Sequence, residues 1–178
     1  LELTLEDAGF DAQPPDRRYA LTTPATLKSA DGQTLGYRWL GIVHNWHMRA
    51  FTSFGDGHGV WEKEGGPRLP FYARNLRDVR QWASALDPAQ LMPRLLDLQK
   101  SGFGLAPPGN GIVRPLSVTP DRVQSHGLDL SSALRSGGTG LVWTAVREGE
   151  LLPRTRRFGA GDPRTRASLV QVTNLGVT

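Results

Sequence analysis

The stretch that most constrains the fold is "GLVWTAVRE", residues 140–148. Leu141, Trp143 and Ala145 alternate with Val142, Thr144 and Val146, so a strand here is apolar on both faces. Such a strand must lie inside a layered sheet, with material packed above and below it. Elsewhere the apolar residues alternate on one face only. Leu1, Leu3 and Leu5 interleave with Glu2, Thr4 and Glu6, the pattern of a strand with one wet face from the first residue onward, with no signal-peptide pattern. Turn formers punctuate these runs throughout: 21 glycines and 13 prolines among 178 residues break the chain into short elements, as in all-β domains.

Residues 1–47 read as three or four antiparallel strands. "SADGQ" places Asp31-Gly32 between Leu27 and Leu35, the dipeptide favoured where a hairpin needs positive φ. On the return strand Tyr37, Trp39 and Val43 share one face, and Leu40 and Ile42 the other. "LPFYARN" has the look of an edge or domain-entry strand, with Pro70 at its start, where a missing N–H does least harm. Strands resume at "IVRPLSV", near "LDLSSAL", at 140–148 and at "SLVQVTNLGVT". One segment changes period. Asp87 is placed as an N-cap and Pro88 as the first helical residue, after which Leu91, Leu95 and Leu98 recur on one helical face. Pro93 is tolerable because it lies within the first turns. The expectation is an all-β, immunoglobulin- or fibronectin-like β-sandwich with one short helical insertion near 85–100.

Candidate chemistry is sparse. With no cysteine there is no disulfide, thiolate nucleophile or Cys-ligated zinc. His44 and His47 in "HNWH" are the best metal candidates, but in an extended strand their odd spacing sends them to opposite faces, and no neighbouring carboxylate completes a set. His58 and His126 read as isolated loop histidines. "GDGHG" (55–59) and "SGGTG" (136–140) lack the Lys-Ser/Thr pair of a P-loop and precede strands, so both read as turns. Ser131 and Ser132 sit in no nucleophile elbow, and Asp129 beside them suits the cap of a single helical turn. Glu62 and Glu64, one strand step apart, lack the second element that a glycosidase pair requires and read as solvated. Trp39, Trp46, Trp61, Trp82 and Trp143 read as packing residues. The formal net charge is +4, with six arginines between Arg147 and Arg166. Only Phe158 interleaves with them, so a solvated arginine-rich hairpin is favoured over a nucleic-acid surface. No apolar run is long enough to span a bilayer. Residue types and spacing thus predict no enzyme, no catalytic, cofactor-binding or metal-ligating residues, and no cofactor.

A resemblance supplies the functional expectation. "LVQVTNLGVT" resembles a phrase of bacterial α2-macroglobulin-like proteins, where it closes one β-sandwich domain and runs into the next. "LTLEDAGFD", "SADGQTLGYRWLGIV", "HNWHMRAFTSFGDGHGVWE", "LPFYARN" and "LDLSSALRSGGTGLVW" are similar in type and order to the amino-terminal part of that architecture. The resemblance implies a fragment of a very large inhibitor exported to the periplasm, often as an inner-membrane lipoprotein. Such inhibitors trap endopeptidases after a bait segment is cleaved, in many members with a Cys-Gln thioester. This chain departs from that machinery: it has no cysteine and nothing resembling bait. The implied role is scaffold, with residues 1–48 as strands of an Ig-like unit and residues 49–178 as a macroglobulin-type sandwich. The implied partners are neighbouring domains of the parent chain and, for the whole inhibitor, its target proteases. Two alternatives remain open at this point: an adhesion or carbohydrate-binding module of a cell-surface protein, and an enzyme with an unrecognised site.

Overall fold

A computed structural model describes residues 13–55, 59–158 and 161–174. The expected first strand at Leu1–Leu5, the centre of the "GDGHG" loop and the last four residues lie outside them. The chain divides into two units, residues 1–47 and residues 48–178.

In the first unit β1 (Arg17–Thr23) and β2 (Trp39–Asn45) pair antiparallel over their full length, Arg17 opposite Asn45 and Thr23 opposite Trp39. The Asp31-Gly32 turn forms as its chemistry dictates. Gly32 takes φ 87° and its N–H donates to Ser29 O at 3.0 Å, while Ser29 N–H donates to Gln33 O at 2.9 Å. An isolated bridge between Lys28 and Thr34 flanks this turn rather than a ladder. The described residues of this unit therefore form two strands, where the pattern over 1–47 predicts three or four.

The second unit is a β-sandwich with a helix on its outer face. Its smaller sheet has the order β3 (Phe51–Ser53), β5 (Arg68–Arg74), β8 (Gln124–Asp129), all antiparallel. Its larger sheet runs β4 (Val60–Glu62), β10 (Thr165–Thr173), β9 (Gly140–Glu148), β6 (Asp78–Leu86), β7 (Ile112–Pro115). Within it β4 lies parallel to β10 and every other pair is antiparallel. The parallel contact needs a close approach at Gly59, where a Cβ would fall 2.4 Å from Leu169 O. Only glycine fits there.

Side-chain parity along β9 divides the unit into three layers. Val142 and Val146 join Phe71, Leu76, Val79, Leu128 and Val170 in the core between the sheets. Trp143 and Ala145 point the other way, against Leu98 and Ala167. Leu98 belongs to α1 (Leu91–Lys100), which is entered through a 3-10 turn at Pro88–Gln90. Asp87 caps that turn, its carboxylate accepting from Ala89 N–H at 2.8 Å. Leu98 is fully buried and Leu91 and Leu95 are half-buried, whereas Met92 and Leu96 on the far side are exposed. Pro93 sits in the first turn of α1, where no intrahelical N–H is lost.

The helix and the two-faced strand thus agree with the sequence pattern, but "LPFYARN" does not. β5 is the central strand of the smaller sheet, not an edge. Pro70 is accommodated because β3 covers only Tyr72–Arg74, so beside Pro70 one flank of β5 carries no strand.

Candidate functional site

The histidines do not gather. His44 lies in β2 opposite Arg18, whereas His47 falls beyond the end of that strand, so strand parity does not govern it. His58 lies outside the described residues. His126 is not a loop residue: it pairs with Phe71 across β5 and β8, their rings 5.4 Å apart. Burial, and then the positive charge of Arg114, hold its imidazole below the ordinary histidine range. Among the described residues no three His, Asp or Glu side chains come close enough to hold a metal ion.

The turn candidates are structural. "SGGTG" closes through Gly138 N–H to Arg135 O at 2.8 Å and Arg135 N–H to Thr139 O at 3.1 Å, then enters β9. Ser131 donates from Oγ to Asp129 Oδ1 at 2.6 Å and from its backbone N–H at 2.9 Å, a local turn leading into the 3-10 turn Ser131–Ala133, whose N-cap position is Leu130 and not the expected Asp129. These bonds depress the Asp129 carboxyl, the Ser131 hydroxyl contributing most. Glu62 ends β4 and Glu64 lies in a 3-10 turn, so the two do not share one strand. Trp143 is buried and Trp61 and Trp82 pack half-buried against the second unit's core clusters, while Trp39 and Trp46 are exposed in the first.

The arginine-rich segment is a β9–β10 hairpin that contains one buried acid the pattern did not flag. Glu148 is 4% exposed, with Arg157 Nε at 3.3 Å and the Arg164 N–H at 3.2 Å from its Oε2. Arg157 Nε is outside hydrogen-bonding geometry, so the pair is not fully satisfied. Burial outweighs these contacts and pushes the Glu148 carboxyl above its ordinary value of 4.5. A carboxyl raised on folding binds more protons in the native state than in the unfolded one. Its contribution is therefore fully present below about pH 4.5 and is lost as pH rises through the raised pKa. The stability of the wild type relative to Glu148→Gln should accordingly fall between acid and neutral pH. Urea midpoints of the two proteins across that range check it, because other titrations cancel in the difference. A flat difference would mean that Glu148 is not desolvated.

The feature left unexplained by folding alone is a surface of the first unit. Leu40 and Ile42 project from one face of β2 and are 61% and 67% exposed. Ala20, opposite Ile42 on β1, is exposed with them. On the other face the Trp39 indole lies over Gly41, beside a half-buried Leu21. A two-stranded ribbon is marginal by itself, and an uncovered apolar face adds to that cost. No protein-family model, curated protein or solved structure matches this chain.

Proposed function

We propose that this chain is a scaffold portion of a large bacterial protease-trapping inhibitor of the α2-macroglobulin type, working in the periplasm or cell envelope. It contributes rigid β-layers against which neighbouring domains of the same parent chain pack, and it carries neither bait nor reactive ester. The observation that carries this reading is the apolar face of the β1–β2 ribbon, centred on Leu40 and Ile42. A strand face of this kind calls for an apolar partner layer, and an adjoining β-sandwich domain supplies one. The resemblance of its phrases to that family supports the class of the parent.

Two measurements test it. The 178 residues alone should leave trypsin fully active on a protein substrate; stoichiometric inhibition would replace the scaffold role with a direct inhibitory loop. Leu40→Asp with Ile42→Asp should shift the stability of the isolated chain by no more than about 0.5 kcal/mol per site, as exposed positions do. In the parent protein the same pair should cost several kcal/mol, at about 1.5–3 for each buried aliphatic side chain lost. Equal effects in both would remove the partner layer from the argument.

A second reading has one observation in its favour. Tyr37 and Trp39 are 61% and 44% exposed, and exposed rings of this kind can stack on sugars. Saturable binding of an oligosaccharide, lost in Trp39→Ala, would favour a carbohydrate-binding module over the scaffold.

A further inference from the structure

The second unit contains a cleft of about 440 Å³ on the helix-bearing face of the larger sheet. Strand register builds its floor. Val113 of β7, Arg80 of β6, Arg147 of β9 and Thr165 of β10 stand in one row across four strands. Arg80 and Arg147 are thus direct cross-strand neighbours. Side chains so placed have Cβ atoms about 4.5–5.5 Å apart, and like charges there oppose folding.

Three other arginines of the unit are paired with acids: Arg77 with Glu150, Arg94 with Asp97, Arg157 with Glu148. Arg80 and Arg147 have no carboxylate within ion-pairing distance among the described residues. Arg80 is braced by donating from Nη1 to Asn110 O, and Arg147 has no side-chain partner among the described residues. Two acids also line the cleft, neither within ion-pairing distance of Arg80 or Arg147. Glu148 is engaged by Arg157 on the opposite side of the sheet, and Asp78 accepts from the Glu150 N–H at 3.3 Å.

Part of the remaining lining is apolar and held in place. Trp82, two residues along β6 from Arg80, fixes its ring by donating from Nε1 to Gly109 O at 3.0 Å. Val113 and Pro163 add to this apolar part, beside Gly109, Asn110 and Gly149. The volume lies within the range of small-molecule sites, about 300–1,000 Å³. We propose that this cleft binds a small organic anion, its carboxylate or phosphate held between the Arg80 and Arg147 guanidiniums and its apolar body against Trp82 and Val113. Two adjacent guanidinium forks match the paired oxygens of either group, and a bound anion removes the cross-strand repulsion. This inference is independent of the scaffold reading.

The test is titration of the whole chain at low ionic strength, where exposed charges are least screened. The probes are benzoate, phenyl phosphate and the neutral benzyl alcohol, read by calorimetry and by thermal melts. Saturable one-to-one binding of benzoate alone identifies a carboxylate site, and of phenyl phosphate alone a phosphate site; binding of both defines a general oxyanion site. Benzyl alcohol should not bind. Arg147→Gln removes the cross-strand repulsion, so without ligand it should melt at or above the wild-type temperature, yet it should bind about tenfold or more weakly, the loss expected for a hydrogen-bonded charge. Arg147→Lys, which keeps the charge but loses the fork, should also weaken binding. Arg135→Gln removes an equal charge elsewhere and should bind as the wild type does. Absence of saturable binding by either anion, or an equal loss in Arg135→Gln, overturns the proposal.

Discussion

Phe71→Ala should destabilise the second unit by about 3–5 kcal/mol, the cost of deleting a fully buried ring and leaving a cavity behind. Phe71 is 0% exposed and stands on the central strand of the smaller sheet, facing Val79, Val142 and Val170 from the larger one. Against a typical domain stability of about 5–15 kcal/mol, that loss is a large fraction of the total. Tyr72, the next residue along β5, faces the opposite way and is 39% exposed. Tyr72→Ala should therefore cost no more than about 1 kcal/mol, as surface changes usually do. Guanidinium midpoints at unchanged m-values compare the two. Equal losses at neighbouring positions would contradict the two-sheet core, because only strand alternation separates them.

Asn75→Ala should cost about 2–4 kcal/mol, since it removes three hydrogen bonds made by a fully buried side chain, one of them to a carboxylate. Asn75 is 0% exposed and joins three distant segments. Its Nδ2 donates to Met48 O at 2.7 Å and to Asp121 Oδ1 at 2.8 Å, and its Oδ1 accepts from Asp121 N–H at 2.7 Å. Asp121 Oδ1 also accepts from Met48 N–H at 2.7 Å, which closes the network. The backbone at Asn75 is left-handed, φ 58°, a region that asparagine tolerates better than most residues. Asn75→Gly separates the two contributions. It relieves the backbone cost, about 1–2 kcal/mol for a residue with a Cβ, but restores no hydrogen bond. If the glycine protein regains wild-type stability, the network contributes nothing and backbone conformation alone selects asparagine.

The legible parts of this fold are those whose signal is local. α1 was marked by Asp87-Pro88 and by leucines at helical spacing, and β9 by apolar residues on both faces; each signal lies within about ten consecutive residues. β5 was misread because its flanks depend on how far β3 extends, and no residue near Pro70 encodes that. The glutamates at 62 and 64 were placed on one strand because β4 ends sooner than its pattern implies. The arginine cleft was illegible for a stronger reason. Arg80 and Arg147 come together only through the register of β6 against β9, and neither segment carries any mark of the other. "SHG" carries a turn signal at His126, yet pairing with β5 keeps that residue in a strand.

The parallel seating of β4 on β10 has a consequence for how the molecule is made. Val60 pairs with Gln171, so an early strand of the second unit waits for its last one. Closing so long a loop is entropically slow, and contacts of that separation form late. On a ribosome releasing about 5–20 residues per second, the β4 segment emerges many seconds before β10 exists. Through that interval its backbone hydrogen-bonding groups lack their native neighbour. Val60, 63% exposed in the finished fold, is then a point at which a nascent chain is open to a wrong strand. The order of synthesis, rather than the strength of the finished sheet, makes this edge the vulnerable one.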